Sequence, residues 1–192
     1  MKAWLDEAAR EIRISTAFTL ATVDAEGHPA ARMVIGRGFD ATAGWLVFYT
    51  DRESDKGAQL AKVPYASCVF HWPALERQIR LDGPITWAPD ADSDAYWATR
   101  PLDAQIATVA SDQSRPLRRR ADYLARIDEL AKRGGAVPRP ERWGGYRVWA
   151  ERVELWVGQP ARAHDRARWT RELMKQGGGF KGGAWSATRL QP

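Results

Sequence analysis

Only one cysteine, Cys68, occurs in 192 residues, so no intrachain disulfide can form. It sits in the apolar run YASCVF (65–70), where burial of the thiol is expected rather than reactivity. No apolar run approaches the roughly 20 residues that a membrane-spanning helix needs. The opening MKAWLDEAAREIRIS carries too many charges for a signal peptide, so a cytoplasmic protein without membrane attachment is expected. Internal repeats are absent. So is a basic arm: the net charge is +5, but the 29 Lys and Arg are spread along the chain among 24 Asp and Glu. That bias favours anionic partners in general and does not by itself indicate nucleic acid. The densest run, RPLRRR (115–120), reads as a helix face near an anionic ligand or a partner subunit. No metal site is expected.

Tryptophan, by contrast, is abundant, at 10 residues. Most of these rings are expected to fill the core, with about a third on a planar ligand or an interface. The remaining composition, 44% hydrophobic and 28% charged, is that of an ordinary globular chain long enough for one domain, taken here as 1–192.

The chain reads as many strands with a helical block inserted late. Apolar residues at helical spacing predict an amphipathic helix over 2–14, within an N-terminal segment 1–16. AFTLATVD (17–24) and PAARMVIGRGFD (29–40) read as a hairpin, and WLVFYT (45–50) as a third strand. Ser54 is a candidate N-cap for a helix through Lys62. YASCVFHW (65–72) and RQIRLDGPITWA (77–88) are two further strands, followed by helices over 90–99, 102–110 and 117–133. A final hairpin pairs 167–173 with 184–190, across a flexible glycine-rich linker at 174–183. This order suits a closed or nearly closed antiparallel barrel with helices at its side, a mainly β (α+β) fold.

The stretch Trp143 to Arg166 organises the rest. Tyr146, Val148, Ala150, Val153, Leu155 and Val157 alternate with polar residues, as in a half-buried strand. The alternation slips near Glu151 and Arg152, which predicts a bulge or bend. Past Gly158 and Pro160 come Arg162, His164, Asp165 and Arg166. Such crowded cations call for water or an anionic ligand.

Other motifs point the same way. Arg32 and Arg37 in RMVIGR are, by periodicity alone, solvated strand residues on opposite faces, unless a bulge at Gly36 brings them together. Lys56 lies in the first turn of its helix, where free N–H groups favour a phosphate. Gln78, an amide that both gives and takes hydrogen bonds, opens a strand. Tyr96 and Arg100, four apart in YWATRP, make a reasonable phosphate clamp.

Taken together, W-G-G-Y-R-V…E-L-W…R-A-H-D-R and these separated motifs resemble the pyridoxamine/pyridoxine 5'-phosphate oxidases, flavin enzymes with a split β-barrel fold. The resemblance spans about residues 17 to 172. It implies an FMN site built from Arg32, Met33, Val34, Tyr49, Thr50, Lys56, Gln78, Gln113, Ser114, Trp156 and Arg166, shared between the two chains of a homodimer, with Gln113 and Ser114 reaching the flavin across the subunit boundary. It implies a phosphorylated substrate held by Arg37, Tyr96 and Arg100, with Arg162 and His164 as the catalytic pair over the substrate ring. The implied reaction is oxidation of pyridoxamine or pyridoxine 5'-phosphate to pyridoxal 5'-phosphate, with dioxygen consumed and hydrogen peroxide released. Three positions depart from the family pattern: Arg37 replaces a usual Lys, Asp55 a usual Arg, and Ala104 a usual Ser. Asp55 either weakens flavin binding or is compensated by Arg52. The departures also leave open an oxidase of another substrate, such as a phenazine precursor, or a non-catalytic flavin- or pyridoxal-phosphate-binding protein.

Overall fold

A computed structural model describes all residues 1–192. Its first element is the helix α1 (Lys2–Glu11), followed by the strands β1 (Ala17–Val23), β2 (Pro29–Ile35), β3 (Gly38–Asp40) and β4 (Trp45–Asp51). The helix α2 (Asp55–Lys62) leads into β5 (Tyr65–Trp72) and the long β6 (Arg77–Trp87). Three helices come next, α3 (Asp90–Ala98), α4 (Leu102–Ala110) and α5 (Arg120–Arg133). The chain closes with β7 (Trp143–Trp149), β8 (Arg152–Val157), β9 (Asp165–Thr170), β10 (Leu173–Gln176), β11 (Gly179–Gly182) and β12 (Ser186–Arg189).

Ten strands form one curled antiparallel sheet in the order β12-β9-β8-β6-β5-β1-β2, with β3, β4 and β7 completing the curl. The expected barrel architecture with flanking helices is therefore borne out. β6 is the corner strand. Its first half pairs with β8 (Arg77↔Val157 to Asp82↔Arg152), and its last residues pair with β7 (Ile85↔Val148 to Trp87↔Tyr146). Gly83 lies where it changes partners. A Cβ there would fall on the Trp149 carbonyl, so only glycine lets the two chains cross this closely. The core inside the curl is built from alternate inward residues, including Phe18, Leu20, Phe48, Phe70, Ile79, Leu81 and Val148, all fully buried or nearly so. Cys68 lies among them, and burial pushes its thiol far above the ordinary range, as expected of an inert cysteine.

Several boundaries differ from the sequence reading. α1 stops at Glu11 because Ile12 is already extended (φ −119°, ψ 120°). The 29–40 strand breaks at Gly36 and Arg37: β2 pairs with β1, but β3 pairs with β4. The slip predicted near Glu151 is a full break between β7 and β8. α5 begins at Arg120, so RPLRRR lies mostly in the loop before it; Arg119 pairs with Asp122 and Arg115 donates to the Glu53 carbonyl. The segment 174–183, expected as a flexible linker, is largely a hairpin: β10 and β11 pair around Gly177 (φ 58°), and Phe180 meets Trp149 edge-on at 5.9 Å. Composition favoured a linker; the aromatic contact gives the glycines a surface to lie on.

Candidate functional site

The site begins where β4 runs out. The Asp51 carboxylate accepts the Glu53 N–H at 2.8 Å, and the Asp51 carbonyl accepts the Ser54 hydroxyl at 2.6 Å. Ser54 then caps α2 by accepting the Gly57 N–H. This tight turn aims Lys56 back over the strand end. Its ammonium donates to Thr50 Oγ1 (3.2 Å), Ser54 Oγ (3.1 Å) and Gln113 Oε1 (2.9 Å) and is 9% exposed. On the neighbouring strands, Arg32 donates to the Leu20 carbonyl (3.3 Å), Thr22 Oγ1 (2.5 Å) and Gln59 Oε1 (2.8 Å).

Every partner of these two cations is a neutral oxygen. Several other arginines find carboxylates: Arg77 meets Glu7, Arg139 meets Asp94, Arg147 meets Asp92 and Arg166 meets Glu154. Lys56 is pulled from the ordinary 10.5 to about 8, first by burial and then by the Arg32 charge, with Asp55 opposing. Burial likewise draws Arg32 below its ordinary range, and Asp55 again opposes. Two adjacent cations with only neutral acceptors form an anion cradle.

Beside the cradle lies an aromatic wall. Tyr49 stacks on Tyr96 at 4.3 Å and on Trp143 at 5.4 Å. The Arg37 guanidinium lies 5.7 Å from the Tyr96 ring centroid, and Arg100 lies 5.1 Å from that of Trp143. Burial, then the charge of Asp92 and the nearby Tyr96, raise the Tyr49 phenol. A cavity of about 390 Å³ joins this wall to the cradle, lined by Tyr49, Thr50, Arg100, Ala104, Thr108 and Gln113 among others. Arg100 donates to the Ala104 carbonyl (3.1 Å) and to Thr108 Oγ1 (3.0 Å), and its Nε is buried without a partner.

The remaining candidates form a second group. Register aligns His71, Gln78, Trp156 and Arg166 as one row across β5, β6, β8 and β9. Trp156 lies 4.7 Å from the His164 ring, whose Nδ1 accepts the Gln159 N–H at 3.2 Å. Ala161 and Arg162 both take left-handed backbone angles (φ 54° and 61°), an unusual pair for non-glycine residues. Arg162 is exposed on that turn. Arg166 holds Glu154 through Nε (3.0 Å) and Nη2 (2.7 Å), and Arg168 holds the other oxygen at 3.0 Å. Glu154 is 3% exposed. Burial would raise its carboxyl, but hydrogen bonds from Arg166 and Arg168 and the charges of Arg166 and Arg80 keep it below the ordinary value.

Within one chain the two groups stay apart. β1, β5 and β6 separate β2, which carries Arg32, from β8, which carries Trp156. At about 4.8 Å per strand step this is roughly 19 Å along the sheet. The structure thus brings together Arg32, Arg37, Tyr49, Thr50, Lys56, Tyr96, Arg100 and Gln113 around one end, and Gln78, Trp156, Arg162, His164 and Arg166 around another. Met33 projects outward from β2 at 63% exposure, and Val34 packs toward the core. Gln113, expected with Ser114 to act across a subunit boundary, instead meets Lys56 and Thr50 of its own chain, because the loop after α4 folds back over the end of β4, and Ser114 sits exposed in a left-handed turn (φ 72°). Arg52 does not compensate Asp55: its guanidinium stacks 4.1 Å from the Trp87 ring and reaches Asp90. Sequence reasoning missed Gln59, Thr22, Thr108 and Trp143. Gln59 alone carried a signal, one helical turn after Lys56.

Comparisons with known proteins identify the family. A profile described as "Pyridoxamine 5'-phosphate oxidase" matches residues 5–133, and one described as "Pyridoxine 5'-phosphate oxidase C-terminal dimerisation region" matches residues 143–192. The chain is 45% identical over 194 residues to a pyridoxine/pyridoxamine 5'-phosphate oxidase of Nitrobacter winogradskyi, covering 100% of this chain and 87% of the relative. It is 42% identical over 191 residues to pyridoxine/pyridoxamine 5'-phosphate oxidase 1 of Ralstonia nicotianae, covering 98% and 85%. The crystal structure of PhzG from Burkholderia lata 383, in complex with tetrahydrophenazine-1-carboxylic acid, superposes with a TM-score of 0.87 at 30% identity, covering 100% of this chain and 90% of that one.

Proposed function

The chain belongs to the pyridoxamine 5'-phosphate oxidase family, and from that premise we propose that it is an FMN-dependent oxidase converting pyridoxamine or pyridoxine 5'-phosphate to pyridoxal 5'-phosphate, with dioxygen as electron acceptor and hydrogen peroxide as the second product. The observation that carries this reading is the Arg32–Lys56 cradle, two buried or half-buried cations whose only partners are neutral oxygens. A phosphate supplies the missing negative charge, and the donor set of guanidinium, ammonium and hydroxyls fits one. Arg32, Thr50, Lys56 and Gln113 would hold the flavin phosphate. Met33, Val34 and Tyr49 would border the rest of the cofactor.

FMN, when bound, supplies the redox chemistry that no side chain offers. The protein's part is placement. Arg37, Tyr96 and Arg100 would hold the phosphate of the substrate, with the Tyr49–Tyr96–Trp143 stack as the apolar wall that excludes water. The second group lies about four strands away in the same chain, so a complete site requires two copies arranged with that group facing the cradle of the other. A homodimer satisfies this, and the match of residues 143–192 to a dimerisation region supports it. Gln78, Trp156 and Arg166 would then close on the flavin, and Ser114 would meet it beside Gln113 at the cradle. Arg162 would lie over the substrate ring, and His164 would hydrogen-bond its reacting amine or alcohol.

A second reading, oxidation of a larger tricyclic substrate, draws on the likeness to PhzG and on Ala104, which offers the substrate phosphate no hydroxyl. Purified protein with FMN, given pyridoxamine 5'-phosphate without oxygen, should bleach the yellow flavin and then release hydrogen peroxide on aeration. Bound flavin that stays oxidised with this substrate but bleaches with a dihydrophenazine carboxylate selects the second reading. Bleaching with neither leaves a binding protein.

A further inference from the structure

We infer that the buried Asp51–Arg142 ion pair is the positioning device of the phosphate cradle and sets how tightly this chain retains FMN, an inference that rests on the flavin reading of that site. Neither side chain hydrogen-bonds Arg32 or Lys56, although Asp51 borders the cavity. Asp51 is 5% exposed and joined to Arg142 by a direct salt bridge. Its other carboxylate oxygen takes the Glu53 N–H, and its backbone carbonyl takes the Ser54 hydroxyl, so Asp51 builds the turn from which Lys56 is aimed. Arg142 faces the other way with its second terminal nitrogen. That nitrogen donates to the Ser111 carbonyl at 2.9 Å and approaches those of Val109 (3.4 Å) and Thr108 (3.5 Å), at and just past the end of α4. Two residues beyond Ser111 is Gln113, whose side-chain oxygen holds both Lys56 and Thr50. The Arg142 carbonyl also accepts the Arg52 N–H at 2.6 Å, fastening the same turn from outside.

One ion pair therefore ties three separate pieces of the cradle: the end of β4, the start of α2 and the loop after α4. The planar guanidinium is what permits this. It offers one nitrogen to the carboxylate and another to the carbonyls at a fixed angle, which an ammonium cannot do. Gln113 is exposed and otherwise held only by its contacts to Lys56 and Thr50. Without Arg142, only the Thr50 contact of Gln113 and the bond from Arg115 to the Glu53 carbonyl still tie that loop to the end of β4.

The test separates positioning from bulk stability. FMN and riboflavin are titrated into apoprotein by flavin-fluorescence quenching, and the apoprotein is melted in parallel. The double variant Asp51→Asn with Arg142→Leu removes the pair without stranding a buried charge. Its melting temperature should stay within a few degrees of the parent, while the Kd for FMN rises by about tenfold or more, by analogy with the loss on removing the hydrogen-bonded partners behind a metal's ligands. Riboflavin, which has no phosphate, should bind unchanged. Arg142→Lys should give an intermediate loss, and it decides the matter if the double variant does not fold. A folded variant with the parental FMN Kd overturns the inference, as does an equal loss for FMN and riboflavin. A parent protein that binds FMN no better than riboflavin overturns the flavin reading itself, and this inference with it.

Discussion

Cofactor binding should weaken as pH rises, and Lys56 sets the scale. Without a phosphate its ammonium is depressed to about 8 by burial and by Arg32. Binding the dianion requires the charged form. The apparent Kd should therefore scale as one plus the ratio of neutral to charged Lys56. That factor is close to one at about pH 7 and about eleven at about pH 9, a loss of roughly 1.4 kcal/mol per unit above the midpoint. Titrating apoprotein with FMN across this range measures it directly. Riboflavin should show no such slope. Lys56→Met should bind FMN weakly at every pH, with the slope gone. The apoprotein's own stability runs the other way. The folded value lies below the ordinary 10.5 of the unfolded chain, so the unfolded state binds more protons between these values. Stability of the empty protein then rises as pH climbs from about 8 toward 10.5. A wild-type FMN Kd that is flat between about pH 7 and about pH 9 would refute the cradle argument, because Lys56 would then not be the phosphate's partner.

Four further outcomes are expected. Arg32→Met should raise the FMN Kd by roughly 10- to 150-fold, the value of a charged hydrogen bond at about 1.5–3 kcal/mol, read by the same titration. Arg162→Ala and His164→Ala should each depress peroxide production while the purified protein stays yellow; unchanged turnover would remove both from the reacting centre. Ala104→Ser should lower the KM for pyridoxamine 5'-phosphate by about two- to tenfold, the worth of one neutral hydrogen bond, and no change would place the substrate phosphate elsewhere. Glu154→Gln should destabilise the fold by about 3 kcal/mol in denaturant unfolding, since it leaves Arg166 and Arg168 facing an amide. The wild type should lose this stabilisation only as pH falls below the ordinary carboxyl value of 4.5, because the folded Glu154 is held lower still.

How much of this was legible in the sequence varies with the range of the interaction. Local signals were reliable. Ser54 caps α2, and Lys56 in the first turn does look back at the strand end. The break in alternation at Glu151 marked the junction of β7 and β8. Pattern failed where a distant contact decided the outcome. Lys175 to Gly183 read as a linker until Trp149 supplied a wall, and Arg52 looked free to serve a phosphate until Trp87 and Asp90 took it. Thr108 carries no motif at all, Gln59 only its place one turn after Lys56, and Trp143 read as a strand residue; the register of β4 with β7 and the packing of α2 and α4 bring them to the site. The separation of the two residue groups was also invisible, because a list of motifs in order carries no distances.

The tryptophan and arginine surplus has a common physical origin. Six of the ten tryptophans, Trp4, Trp45, Trp87, Trp97, Trp143 and Trp185, lie under an arginine guanidinium. A guanidinium is weakly hydrated and flat, so it stacks on indole while its edge still reaches a carboxylate. Arg52 and Arg77 do both. Fourteen of the 29 Lys and Arg lie within salt-bridge distance of a carboxylate and are to that extent unavailable to a ligand. That is why net charge was a poor guide to function. Among the cations without a carboxylate partner the informative ones are those also withdrawn from water, and Arg32 and Lys56 share that state side by side. Lys56 bears the cost of the arrangement in its depressed ammonium, and only an anion placed between the two relieves it.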